Sequence, residues 1–260
     1  MRNIALLFIL SITVLLLSFT SAGNDDTIIS TIVIDAGHGG RDAGTSGLKS
    51  KEKDIALDIS KHLGRIINEN MPHLRVLYTR KDDSYPTLQE RSEFANKNAA
   101  NLFISIHCNW ISNPRIFGTE TYVMGLHKTQ ENLEVAKREN SVILKEENYQ
   151  ENYEGFDPNS TESYIFLTLR QSAYQEGSLL LADKVEKQLG TNAGRKSRGV
   201  KSAGFYVLAY TTMPSILVET GYLSNRAEEI DLIDDLKQRY IASGIYRAIR
   251  EYKNEVESTK

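Results

Sequence analysis

The sequence predicts an α/β domain, with a mostly parallel central sheet of about six strands flanked by helices. Two observations carry that expectation. Short apolar runs rich in β-branched residues recur along the chain, as at 31–35, 102–106 and 215–220. Between them lie segments whose apolar residues fall at helical spacing, as at 53–68 and 240–252. Strands that alternate with helices favour parallel pairing, because a parallel pair needs a long crossover.

The elements follow in order. Arg2, an apolar run at 5–19 and the small residues Thr20, Ser21 and Ala22 form the pattern of a secretory signal peptide, 1–22. Cleavage after Ala22 removes one Arg and no acid, which takes the net charge from −3 to −4. An uncleaved anchor is the alternative, since the run approaches spanning length. Residues 23–30 are a spacer, and a single domain is expected over 31–254. Residues 31–35 read as a buried strand that enters a loop, 36–40, too rich in glycine for a helix or strand interior. The 53–68 segment has apolar residues at 55, 56, 59, 63, 66 and 67 and reads as a helix. A second strand is expected at 75–79. Thr87 and Glu90 form a capping box that opens a helix to about Ala100. Strands three to six are expected at 102–106, 118–124, 205–208 and 215–220. Asn225 opens another helix, and 240–252 forms the last.

Composition narrows the class. A chain of 260 residues with 40% apolar content can bury one sizeable core. A net charge of −3 with no basic stripe argues against a nucleic-acid partner or an anionic membrane surface. Cys108 is the only cysteine, so no internal disulfide exists and stability must come from the core and any bound metal.

One stretch stands apart. Residues 131–162 carry nine acids and three bases, and they fall between strands four and five. That is too long for a plain connection, so an acidic insert is expected at about 128–172. Residues 131–147 are rich in helix formers, and 156–159 read as a turn. A solvated surface helix is the bland reading.

Ligands in open α/β sheets gather at the carboxyl ends of the strands. Strand one delivers His38 there, strand three His107 and strand six Glu219, and Glu52 precedes the first helix. Two imidazoles and two carboxylates are the inventory of a catalytic zinc with an open position and a separate base. We assign His38, Glu52 and His107 as ligands and Glu219 as the base. The bland alternatives are hydrogen-bonded structural histidines, and a buried ion pair between Glu219 and Arg80 or Arg91. Asp35 or Asp54 could orient a ligand histidine. Cys108 points away from its neighbour His107 and reads as a small buried residue. His62, His73 and His127 read as surface positions. Asn109 and Trp110 could line a substrate groove, although Trp110 could equally be a core aromatic.

Six blocks of the chain resemble the zinc-dependent N-acetylmuramoyl-L-alanine amidases of the amidase-3 type. They are IVIDAGHGGRDAGTSG at 32–47, KEKDIALDIS at 51–60, YTRKDD at 78–83, LFISIHCNW at 102–110, GTETYVMG at 118–125 and PSILVETGYLSN at 214–225. The resemblance implies Zn²⁺ on His38, Glu52 and His107, with Glu219 catalytic. It implies hydrolysis of the bond between muramic acid and L-alanine in peptidoglycan by an exported enzyme. Some relatives carry an insert here that covers the site until a partner moves it. The insert is therefore expected to occlude the metal through Glu146, Glu147, Glu151 or Glu154, with an activator protein as partner. A zinc carboxypeptidase and a non-catalytic cell-wall binding protein are the rival functions.

Overall fold

The computed structural model describes residues 28–168 and 173–258. The expected signal peptide, spacer residues 23–27 and insert residues 169–172 lie outside the described residues. The chain runs β1 (Thr31–Ala36), α1 (Glu52–Asn70), β2 (Arg75–Tyr78), α2 (Leu88–Lys97), β3 (Leu102–Asn109) and β4 (Thr119–Met124). The insert follows as α3 (Gln130–Asn140), a 3₁₀ turn (Ser141–Lys145), α4 (Tyr149–Asn152) and α5 (Thr161–Thr168). Then come α6 (Gln175–Asn192), β5 (Ser197–Ala203), α7 (Tyr206–Ala209), β6 (Ser215–Tyr222), α8 (Arg226–Ile233) and α9 (Asp235–Ser258). No helix among the described residues is long and apolar enough to cross a membrane.

The sheet order is β2-β1-β3-β6-β4-β5. Every pair is parallel except β4 with β6. The central strands β1, β3 and β6 are buried along their whole length, as strands covered on both faces must be. Alternate residues feed two cores. Ile32, Ile34, Ile104, Ile106 and Val218 pack with Ile59 of α1, Val185 of α6 and Ile245 of α9. Val33, Phe103 and Leu217 point the other way, and the insert covers them. Leu133, Ala136, Ile143, Tyr153, Phe156, Tyr164 and Leu167 belong to this second core. The insert is thus a packed layer of the domain and not a solvated surface helix.

The capping box forms at Thr87 and Glu90, and α2 ends at Lys97. Asn225 caps α8 by accepting from the N–H groups of Ala227 and Glu228. One strand assignment needs correction. The apolar stretch at 205–208 lies mostly in the short, wholly buried helix α7. A short apolar run has no period long enough to separate a strand from a buried helical turn. The fifth strand is instead Ser197–Ala203, a polar and half-exposed edge strand without an alternating apolar pattern. Helix α6 is a further addition to the sequence expectation, although Leu181, Val185 and Leu189 lie four residues apart on its buried face.

Candidate metal centre

The central strands converge on one set of side chains. The loop after β1 carries His38, β3 carries His107 near its end, and β6 carries Glu219. His107 and Glu219 are register partners on neighbouring strands, so they project to the same face of the sheet. That face is the one the insert covers. Glu52 is the first residue of α1.

The His38 loop is held by two buried arginines. Arg80 donates to the carbonyls of Ala36 (2.9 Å) and Gly37 (2.7 Å), and Arg91 to those of Ala36 (2.6 Å) and His38 (2.7 Å). His38 adopts a φ of 60°, a conformation unusual for a non-glycine residue. These guanidinium contacts help hold it there. Its Nδ1 meets Asp42 Oδ2 at 2.7 Å, which turns Nε2 inward. Glu52 is fixed through Oε2 by the N–H (2.7 Å) and hydroxyl (3.0 Å) of Thr45. Its Oε1 accepts from the N–H of Cys108 at 3.0 Å. Two glycines are dictated by this crowding. A Cβ on Gly37 would lie 2.4 Å from the His107 ring, and one on Gly44 would lie 2.6 Å from both Glu52 and His38.

Four donor atoms then face a common centre. Glu52 Oε1 lies 3.0 Å from His38 Nε2 and 3.0 Å from His107 Nδ1. Glu139 Oε2, from α3, lies 3.1 Å from each of the same two nitrogens. A tetrahedral ion with bonds of about 2.0–2.1 Å sets its donors about 3.3 Å apart, near these four contacts, and the whole set of four donor atoms lies within 4.8 Å of one another. His38 Nε2 and Glu139 Oε2 are buried and lack a well-directed hydrogen-bond partner among the described residues. Orphaned polar atoms this deep are costly, and a cation at the centre would satisfy both. The residues present therefore fit a metal ion.

The electrostatics agree. Burial alone would raise the Glu52 carboxyl, yet the His38 imidazole beside it brings its pKa down to about 2. Burial opposes charge on His107, and Glu139 more than offsets this, raising it to about 9. The same balance of burial against Glu52 raises His38. Surrounding carboxylates thus favour positive charge at this centre. Glu219 is raised well above the usual carboxylate range, first by burial and then by Glu139 and Glu52.

The structure brings together all four residues singled out from the sequence and adds others. Glu139 is one that the sequence reading missed. Glu146, the buried member of the expected occluding set, lies elsewhere and accepts from the hydroxyls of Tyr85 (2.5 Å) and Tyr153 (2.7 Å). Glu147, Glu151 and Glu154 are exposed and outside the cluster. The physical reason is the helix face. Glu139 follows Asn132, Val135 and Ala136 on the buried stripe of α3, whereas the later acids lie beyond it. A carboxylate on an otherwise buried stripe was the available signal. Asp42 orients His38, and neither Asp35 nor Asp54 does. Asp35 is used by Thr79, Ser105 and Arg91, and Asp54 is exposed. Arg80 and Arg91 hold the loop and do not pair with Glu219. Cys108 faces the first core, opposite the site. His73 is exposed and His127 half-buried, but His62 is buried and meets Asp235 at 3.1 Å. Trp110 is exposed and not a core aromatic, and with Asn109, Val135 and Arg138 it lines a groove of about 570 Å³.

A profile of the N-acetylmuramoyl-L-alanine amidase family matches residues 32–251, which includes every donor in the cage. This chain belongs to the N-acetylmuramoyl-L-alanine amidase family. The amidase AmiA of Escherichia coli strain K12 is 29% identical over 225 residues, covering 85% of this chain and 75% of AmiA. Among solved structures, the catalytic domain of CwlV from Bacillus (Paenibacillus) polymyxa is 30% identical, with a TM-score of 0.64. The match covers 86% of this chain and 98% of that domain. The CwlD amidase of Clostridioides difficile, solved in complex with the GerS lipoprotein, is 26% identical with a TM-score of 0.63. That match covers 87% of this chain and 99% of CwlD. The α/β fold is common to these amidases and this chain.

Proposed function

We propose that this protein is an exported, zinc-dependent hydrolase that cuts the amide bond between N-acetylmuramic acid and L-alanine in peptidoglycan. The observation that carries the reading is the cage of His38, Glu52 and His107 beside a buried Glu219 whose oxygens have no hydrogen-bond partner among the described residues. His38 Nε2, Glu52 Oε1 and His107 Nδ1 would hold the ion. Bound there, zinc supplies Lewis acidity to the carbonyl and makes water acidic enough to attack near neutral pH.

The chain's own residues do the rest. Asp42 fixes the ring of His38 so that Nε2 alone faces the centre, and Thr45 fixes Glu52 in the same way. Glu219 accepts the proton of the attacking water. It returns that proton to the L-alanine nitrogen as the carbon–nitrogen bond breaks and the carbonyl carbon takes the water oxygen. Burial and nearby carboxylates raise Glu219, which favours a group able to hold and release a proton.

Glu139 gives this site a closed form. Its Oε2 lies 3.1 Å from both histidine nitrogens, where it would compete with water or the substrate carbonyl for a bound ion. The insert would then be the regulatory element, and an activator protein would open it by displacing the end of α3. The CwlD relative, solved with a lipoprotein, supports an amidase of this fold having a protein partner. The signal-like segment at 1–22 and a cell-wall substrate support export.

The test is to incubate the zinc-loaded mature protein with purified peptidoglycan, with and without a chelator, and to identify the released fragments. Chelator-sensitive release of peptides that begin with L-alanine is expected. Cuts between stem amino acids alone would replace the amidase reading with a carboxypeptidase.

A further inference from the structure

Helix α3 brings two neighbouring side chains to the centre, Glu139 and Arg138. The Arg138 guanidinium reaches three other groups. Nη1 donates to the carbonyl of Trp110 (2.9 Å), Nη2 to Asn109 Oδ1 (2.9 Å) and Nε to Glu139 Oε1 (3.1 Å). Nη2 also lies 3.8 Å from Glu219 Oε1.

This seat is built in advance. Asn109 is buried, and its Nδ2 donates to Glu120 Oε2 at 3.1 Å, which turns Oδ1 toward Arg138. Glu120 is the register partner of Glu219 across β4 and β6. It is already satisfied by Arg198, Lys201, Tyr122 and Tyr222. Glu219 has no such set. Neither of its oxygens has a hydrogen-bond partner among the described residues. Of two opposed buried carboxylates, one is neutralised from within the sheet and the other faces a cation supplied by the insert.

We propose that Arg138 is the positioning residue that seats the closed insert, holding Glu139 in the metal cage while its charge faces Glu219. The inference deepens the closed-site reading above and rests on it. Neighbouring residues on one helix turn address the metal position and the base, so one movement of the end of α3 frees both. The planar fork of arginine suits the task, because it reaches a carbonyl, an amide oxygen and a carboxylate at once. The compact ammonium of lysine cannot span the three.

The experiment compares zinc-loaded wild type with Arg138→Gln, Arg138→Lys and Glu139→Gln. It reads basal peptide release from purified peptidoglycan and the rate at which zinc passes to a chelator, with melting temperature as a check on folding. Arg138→Gln should raise both rates about tenfold, the scale of losing charge-assisted hydrogen bonds. Arg138→Lys should fall between, and Glu139→Gln should also raise both rates. If Arg138→Gln and Arg138→Lys match wild type while Glu139→Gln is raised, Arg138 is not the seat although the closed site stands. If the arginine variants lose activity while Glu139→Gln gains it, Arg138 serves the open enzyme and the proposal is overturned. If Glu139→Gln changes neither rate, the closed-site reading fails and the proposal fails with it.

Discussion

His107 and Glu219 are register partners on β3 and β6, so the expected metal ligand and the expected base rise side by side from one face of the sheet. Their separation is set by strand spacing and not by a flexible loop. Glu219 can therefore be changed without disturbing the cage. Glu219→Gln should keep zinc at wild-type stoichiometry and lose about 10²–10⁴-fold in kcat, the range for a missing general base. Metal analysis beside a turnover assay decides the matter. A variant that loses zinc along with activity would make Glu219 a ligand.

That geometry explains how much of the site could be read from the chain. His38, His107 and Glu219 follow short β-branched runs, and strand ends are where α/β domains collect ligands. Glu139 and Arg138 belong to the acidic stretch after β4, where the buried stripe of α3 singles out Glu139 but no local pattern says where that stripe docks. Asp42 is hidden for a different reason. Its contact with His38 depends on the positive φ at His38, which the guanidinium contacts of Arg80 and Arg91 help hold. The same limit applies to the fold. The buried central strands announce themselves, whereas the polar edge strand Ser197–Ala203 has only its pairing with β4 to identify it.

Asp42 gives the second prediction. Its carboxylate is the partner of His38 Nδ1, and such partners fix ring orientation and raise ligand basicity. Asp42→Ala should weaken zinc binding by about 10–100-fold, and Asp42→Asn should recover part of the loss. Competition against a chelator of known affinity measures both. Wild-type affinity in Asp42→Ala would leave the carboxylate with a purely local role in the loop.

The third prediction concerns removal of the insert. Deleting 131–162 removes Leu133, Ile143, Tyr153 and Phe156 from the second core and uncovers Val33, Phe103 and Leu217. At about 1.5–3 kcal/mol for each buried side chain, exposing the three uncovered residues alone costs up to about 5–9 kcal/mol. That rivals the whole stability of a typical domain, about 5–15 kcal/mol. The deletion should therefore give an aggregated or dye-binding protein, not an activated one. A soluble deletion variant with a cooperative melt would mean that the insert lifts off as a unit. The packing points instead to a local release of the end of α3.

The last prediction is a pH effect far from the candidate metal centre. Glu186 of α6 is buried and accepts from the hydroxyls of Thr119, Thr121 and Ser197. Burial raises its pKa above the usual 4.5, and the three hydroxyls offset this only in part. A raised carboxyl favours the protonated form in the folded state. Its contribution is fully present below the unfolded value and is lost as pH rises through the folded value. Glu186→Gln is neutral at every pH, so its melting temperature relative to wild type should climb between about pH 4 and pH 8. Scans at both pH values measure the difference. A constant offset would mean that the hydroxyls solvate the ionised carboxylate as well as water does.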